Sequence, residues 1–574
     1  MRNLTIFLLV LLLVGCQPNP PATPEAEPEQ PTVEVDDTPQ PDNDAGEPTP
    51  TGTPEPETPR MELVVSGPEE IVFDWTNDRC EDGNIPDIAA RAFRDAEGQV
   101  QLTIGHVNTY RMVGPDLNSL ETDCSAPINT SDLDPDPAMF NDGEWIGSLY
   151  TEDGETIYAV MHNEYRGHMH GDTRPDQCPS GDYLTCLDTS LTMAISTDGG
   201  DSYHDIAEPP NHLIATLPYT FDDQGVPSGL RAPSNILNGQ DGYFYVFTNI
   251  SDYPTEEQWA CLLRTDNLDD PSSWRYWDGN DFNGKFINPY TEDVTENTPT
   301  CAPVDSFDIS GSLTNSVTYN TVLEKYILVG MGYNPTSTAE RPIWGVYYSI
   351  SDDLIDWSRR RLIIELPMVA SVADPEFELI YAYPVLLDPD SPSINFDTND
   401  DELYLYVSRF NFGGGSLDRD LIRYPLQLVP ATYEIPDWEF ETEGDVEWWW
   451  PENHIEDFTA SGGVLSMVSS GDDPYMVSPA VEFPASDYGQ LSITMKVSEG
   501  DPTAGEVFFL TDTDPLWDGD KYLVFDVISD GEFHTYDLDM SSISEWRGLI
   551  QQIRIDPVVH AGRKIEIDKI KIAE

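Results

Sequence analysis

The chain has 574 residues, and 105 acidic against 28 basic side chains give it a formal net charge of -77. Neutralising phosphates takes Lys and Arg in quantity, so a nucleic-acid partner is excluded. The length allows more than one domain, and the acidity reads as a highly soluble or salt-adapted surface, with carboxylate loops compatible with a structural calcium but no twelve-residue calcium loop and no cofactor signature.

Arg2, the apolar run at residues 4–14 and then Gly15 and Cys16 read as a secretion leader, too short to span a bilayer as a permanent helix. Leu13-Val14-Gly15-Cys16, at the end of the signal segment 1–16, resembles the bacterial lipoprotein box, which implies lipidation at Cys16 as the mature N-terminus. Residues 17–60 are rich in Pro, Glu and Thr and cannot bury enough apolar surface to fold. Such a tether is extended and holds a folded domain of the order of 100 Å from a membrane. Six cysteines remain in an exported chain, and proximity suggests Cys80–Cys124, Cys178–Cys186 and Cys261–Cys301 as disulfides. A zinc site competes, but no paired C-x-x-C spacing supports it.

From residue 61 the pattern is strands and turns. Residues 61–83 lead toward a first unit at about 84–120, where Pro86 fixes an extended entry, Asp87 opens an inner strand and Gly98 turns the chain back. The element returns after Gly154, where a strand reaches His162 at the offset that separates Gly98 from His106. Looser copies lie at 231–237, 310–319 and 381–387. Strand-built self-similarity at long spacing predicts a propeller of five blades over 61–430. Residues 196–203 resemble the structural Asp-box turn of sialidases. Beyond a linker at 430–436, short alternating strands from 437 to 574 predict a β-sandwich of jelly-roll type. The fold expected is therefore all-β, a five-bladed β-propeller followed by a β-sandwich.

Inner strands of a propeller line its channel, so equivalent ends converge. The repeats place Asp87, Asp142 or Glu144, Arg231 with Ser234, Asp308 or Ser312, and Tyr381 or Tyr383 at one end, and His106, His162, Glu164, Asn249 and Arg409 at the ends of second strands. Carboxylates, imidazoles and arginines in one funnel suit sugar hydrolysis, which needs one carboxylate as base or nucleophile and one proton-holding acid. Asp87, Glu164, Asp142 and Asp136 are the catalytic candidates, and His106, His162, Arg231, Ser234, Tyr383 and Arg409 the substrate-binding ones. His168 and His170 form an H-x-H spacing that reads as an exposed loop rather than a metal site.

Five blades, an acid opening the first inner strand and S-x-D…W blade endings resemble the arabinanase, β-xylosidase and invertase type of glycoside hydrolase over roughly residues 70–430. The resemblance implies an Asp on each of the first two blades, matched by Asp87 and by Asp142 or Asp136, and a Glu on the third. The third blade offers Arg231-Ala232-Pro233-Ser234 with no acid, so Glu164 takes that place, held protonated by burial beside another negative charge. The C-terminal segment resembles carbohydrate-binding jelly rolls, with Trp448, Trp449, Trp450 and Trp517 available for sugar stacking, about half such Trp residues belonging to a core.

The expectation is a monomeric lipoprotein on the bacterial cell surface or outer membrane that hydrolyses or recognises an extracellular poly- or oligosaccharide. Its alternatives are a non-catalytic glycan binder and a sialidase-like hydrolase in which Arg231, Arg409 and Arg111 clamp a carboxylate and a Tyr such as Tyr383 is the nucleophile.

Overall fold

The computed structural model describes residues 60–222, 228–252, 257–295, 298–304, 314–333, 343–358, 360–369, 378–411, 417–433, 435–512, 514, 516–517, 519 and 521–574. Cys16, nearly all of the tether, Asp308 and Ser312 lie outside the described residues.

Side-chain carboxylates build the turns that connect the strands. Asp95 Oδ1 accepts from the Glu97 and Gln99 amides (3.1 and 2.8 Å) between strands Arg91–Arg94 and Val100–Ile104. Asp153 does the same for Glu155 and Thr156 between Gly143–Thr151 and Ile157–Arg166. In the S-x-D turns, Ser196 donates to Asp198 and Ser351 to Asp353, and the Trp357 indole closes on the Leu354 carbonyl. Asx-type bonds of this kind mimic a backbone turn and free the flanking residues to pair as strands.

Among the described residues the strands form five successive antiparallel meanders. The first runs Arg91–Arg94, Val100–Ile104, Asn108–Gly114 and Glu121–Asp123. The second and third belong to one ten-stranded sheet, joined by parallel pairing of Leu187–Ser196 with Ser228–Leu230. At that junction Gly229 has φ +114° and a Cβ would lie 2.1 Å from the Thr189 carbonyl oxygen, so only glycine fits. The fourth meander runs from Ser316–Asn320 to Arg361–Glu365, and the fifth from Leu379–Leu387 to Arg419–Pro430. Between each neighbouring pair lies an apolar cluster: Phe93 with Ile146, Leu191 with Val246, Phe247 with Val317, Ile327 with Leu405, and Leu102 with Val385. The last of these returns to the first meander, so the packing closes on itself as a propeller.

Residues 61–73 do not lead into the first meander as expected. Met61–Val65 pairs antiparallel with Arg419–Pro430, from Met61↔Pro430 to Val65↔Leu426, and Glu70–Phe73 pairs with the same strand. The two ends of the propeller segment thus share one sheet, with Met61–Val65 as its edge strand.

Arg91 ties the inner strands together. Its buried guanidinium donates to the carbonyls of Gly147 (2.7 Å), Pro233 (2.9 Å) and Asn315 (2.8 Å), which belong to the second, third and fourth units.

Among the described residues the C-terminal part has two six-stranded antiparallel sheets, one ordered Ile455–Ala460, Leu465–Ser469, Lys564–Ala573, Gln490–Val497, Phe533–Asp539 with Asp437–Trp438 also paired to Lys564–Ala573, the other built around Leu549–Asp556 and Thr503–Thr511. Strict alternation in Gln490–Val497 sends Leu491, Ile493, Met495 and Val497 into a shared core. That face-to-face packing makes it a sandwich. Trp449 is 1% exposed in that core against Trp438, which removes it as a sugar platform, whereas Trp448, Trp450 and Trp517 are exposed. The three disulfides are Cys80–Cys124, Cys178–Cys186 and Cys261–Cys301. No helix among the described residues is long and apolar enough to cross a membrane.

Candidate active site

The Cys80–Cys124 disulfide and the Asn84 side chain, which accepts from the Cys80 amide, fix the loop that delivers Asp87. The Asp87 amide donates to the Gly105 carbonyl at 3.0 Å, which pins Asp87 beside the end of Val100–Ile104 and therefore beside His106. Asp87 forms a buried ion pair with Arg419, accepts from the Tyr383 hydroxyl at 3.3 Å and lies 3.7 Å from His106 Nε2. Tyr383 reaches it through a bulge in Leu379–Leu387, where its own φ is +58°. A left-handed tyrosine in a strand is strained backbone, held here by the surrounding pairing.

The strand Ile157–Arg166 carries the opposite side of the mouth. Period-2 alternation puts His162, Glu164 and Arg166 on one face. Glu164 lies 3.3 Å from His162 Nε2, and the Tyr183 hydroxyl is 3.5 Å away on the other carboxylate oxygen. Trp145, paired across the strands with His162, stands between the two halves with ring centroids 5.9 Å from His106 and 6.0 Å from His162. The Arg166 guanidinium sits 5.5 Å above the same indole. Asp87 and Glu164 both act electrostatically on His106, Tyr183 and Tyr383, so the two carboxylates share one field.

That field sets the proton inventory. Burial acts to raise the Glu164 carboxyl, but the His162 hydrogen bond and the charges of His162, Arg166 and Arg231 outweigh it and hold it below its usual range. The expected proton-holding Glu164 is therefore corrected: cations outnumber acids around it, and it is ionised near neutrality. Burial, then Arg419 and Arg166, keep His106 below an ordinary imidazole despite Asp87. Burial and the two carboxylates push both Tyr183 and Tyr383 upward, so their phenols remain donors.

Several predicted residues are not brought here. Asp142 is 1% exposed and occupied by His170 Nε2 (2.9 Å) and the Arg166 amide (2.8 Å), so it positions the end of the Glu164 strand rather than joining Asp87. Asp136 caps the short turn Pro137–Met139 and pairs with Arg174. Ser234 is fully buried, donating to the Asn235 carbonyl and accepting from the Phe247 amide, so it has no hydroxyl to offer a substrate. Arg409 is paired with Glu69 and Asp420, and Arg111 with Asp123 and Asp201; neither is available as a clamp. The arginines that do meet at the mouth are Arg166, Arg231 and Arg419. Sequence reasoning did not single out Arg166, Arg419, Tyr183 or Trp145, although alternation from Glu164 already puts Arg166 on the site face.

Three side chains could together hold a metal. Glu144, Asp205 and His212 bring ligand atoms within 4.8 Å of one another in the second meander. The His212 Nε2 also lies 3.2 Å from the Phe140 carbonyl oxygen. A separate surface cavity of about 290 Å³ is lined by Asp388, Glu402, Tyr404 and neighbours, and shares no residue with the mouth.

No protein-family model matches the sequence, and no curated protein matches it. Among solved structures the chain is similar to a glycoside hydrolase family 43 arabinoxylan arabinofuranohydrolase from Bacillus subtilis, at 11% identity and a TM-score of 0.35, covering 88% of this chain and 99% of that one. It is also similar to a sucrose-6-phosphate hydrolase from Lactobacillus gasseri (12%, 0.34, 84% and 90%) and an endo-arabinase from Bacteroides thetaiotaomicron (9%, 0.34, 64% and 98%). Similarities at this level assign no family, and the site is read from its own geometry.

Proposed function

We propose that the protein is a glycoside hydrolase-like enzyme that acts on an extracellular poly- or oligosaccharide at the mouth formed by Asp87 and Glu164. The observation that carries this reading is the convergence of two buried carboxylates with two imidazoles and two protonated phenols on one side of the propeller. An ionised Glu164 suits a base or nucleophile, and Asp87, paired with Arg419, suits charge stabilisation at a developing oxocarbenium ion. Tyr183, whose phenol stays protonated beside Glu164, would donate a hydrogen bond to a leaving oxygen. Each of the five meanders is read as one blade. Cys16 would carry a lipid that anchors the protein at the bacterial surface, the tether holding the monomeric propeller and sandwich clear of the membrane. Trp448 and Trp517 in the sandwich would bind the polymer.

A non-catalytic glycan binder is the second reading, favoured by two observations: Glu164 is held ionised by its surroundings, and Asp87 is already ion-paired, so neither carboxylate holds a proton for a leaving group. A screen of the purified protein against a polysaccharide panel, read as new reducing ends, separates the two. Hydrolysis lost in both Asp87→Asn and Glu164→Gln supports the enzyme; binding without any cleavage supports the binder; cleavage that survives both substitutions refutes the assignment of this mouth.

A further inference from the structure

A buried guanidinium is stable only when its donors are matched, since an uncompensated charge in the interior is worth several kcal/mol of penalty. Several arginines among the described residues are paired with carboxylates: Arg419 with Asp87, Arg409 with Glu69 and Asp420, Arg423 with Glu70, and Arg554 with Asp556. The two other arginines of the mouth, the buried Arg166 and the partly exposed Arg231, have no carboxylate paired with them in this way. Arg231 follows the Gly229 junction, its backbone fixed by the Asn249 carbonyl, and among the described residues its side chain makes no hydrogen bond or close ion pair. It feels only Glu164 and Tyr183 at longer range. Arg166 is 9% exposed, and its buried Nε has no partner. Gly143 makes room for it: a Cβ there would lie 2.6 Å from Arg166 Nη2.

Charge balance points the same way. Arg419 neutralises Asp87, whereas Glu164 alone faces both Arg166 and Arg231. Imidazoles aside, the mouth holds one positive charge in excess, inside a chain of net charge -77. We infer that the sugar taken here carries a negative charge, a carboxylate or a sulfate, bound by the guanidinium groups of Arg231 and Arg166. Planar forks with free N–H donors match such groups bidentately, whereas the hydroxyls of a neutral sugar leave the excess charge unbalanced. The inference rests on the reading of this mouth as a glycan site.

Calorimetric titration of the purified full chain tests it with three probes of matched length: an oligogalacturonate, a sulfated galacto-oligosaccharide and a neutral arabino-oligosaccharide. At least one charged probe should bind roughly tenfold or more tighter than the neutral one, and which one does so separates carboxylate from sulfate. Arg231→Leu and Arg166→Leu should erase that preference. Gly143→Ala, which keeps both charges but displaces the Arg166 fork, should weaken only the charged probe, and unchanged melting curves show that the fold is intact. Equal binding of neutral and charged probes, no binding of either charged probe, or a preference that survives Arg231→Leu and Gly143→Ala overturns the inference. Cleavage assays on the same probes keep the two readings apart. Cutting of the neutral probe alone refutes the inference and leaves the hydrolase; Arg231-dependent binding of a charged probe without cutting does the reverse.

Discussion

Replacing Arg91 by Met tests the idea that a single cation holds the inner strands of the propeller at their common centre. The side chain is 2% exposed and donates to carbonyls of Gly147, Pro233 and Asn315, with a fourth, longer contact to its neighbour Ala90. Methionine fills much of the volume but donates nothing, so three carbonyls from three different units lose a charged partner. Hydrogen bonds from charged donors contribute about 1.5–3 kcal/mol each. Relief from burying a guanidinium offsets part of that loss, which leaves a net destabilisation of about 3–5 kcal/mol. Urea unfolding followed by tryptophan fluorescence measures it, with Arg91→Lys expected to fall between the two because one ammonium cannot reach all three carbonyls. A methionine variant within about 0.5 kcal/mol of the native chain would show that the inner strands are held by side-chain packing alone.

Glu144 provides a pH test. Burial, then Asp205 and Asp132, push its carboxyl up to about 8. A raised folded-state value means a contribution that is complete below the unfolded value and lost as pH rises through about 8. Glu144→Gln should therefore gain stability relative to the native chain between pH 5 and 8, approaching about 4 kcal/mol, and a pH-independent difference in melting temperature would contradict this. Removing residues 437–574 should leave a folded propeller, because the sandwich core draws its fully buried members only from 438–572. The ion pairs lost, Arg60 with Glu482 and Asp512 and Arg361 with Glu482, are loose ones worth about 1 kcal/mol or less. An unfolded truncation product would show that the two parts are one folding unit. Cys16→Ser should move the protein from the membrane fraction to the soluble one, and continued membrane retention would refute the lipid anchor.

What could be read without coordinates was local. The S-x-D turns at Ser196 and Ser351, the near-neighbour cysteine pairs, and the equal offsets that bring His106 and His162 against Trp145 all depend on short stretches. Closure by Met61–Val65 did not show, since its partner strand is at the far end of the propeller segment and strand pairing carries no local mark of its partner. Trp449 was misplaced for a different reason. Glu447 and Trp448 have φ of +50° and +66°, so no strand alternation governs that run and Trp449 turns inward. Arg409 and Asp142 were misread because acids and bases a few residues away in space, Asp420 and His170, had already paired with them. The charge state of Glu164 depends on Arg231 of the third meander as well as on His162 and Arg166 of its own strand, a combination that only the folded chain brings together.

The most direct measurement is the structure of the Asp87→Asn/Glu164→Gln double variant with an oligosaccharide bound. The account predicts a glycosidic linkage lying in the mouth, flanked by positions 87 and 164, with the Tyr183 hydroxyl within about 3 Å of the bridging oxygen. An oligosaccharide seated elsewhere, for instance in the cavity beside Asp388 and Tyr404, with the mouth left to solvent, would contradict it.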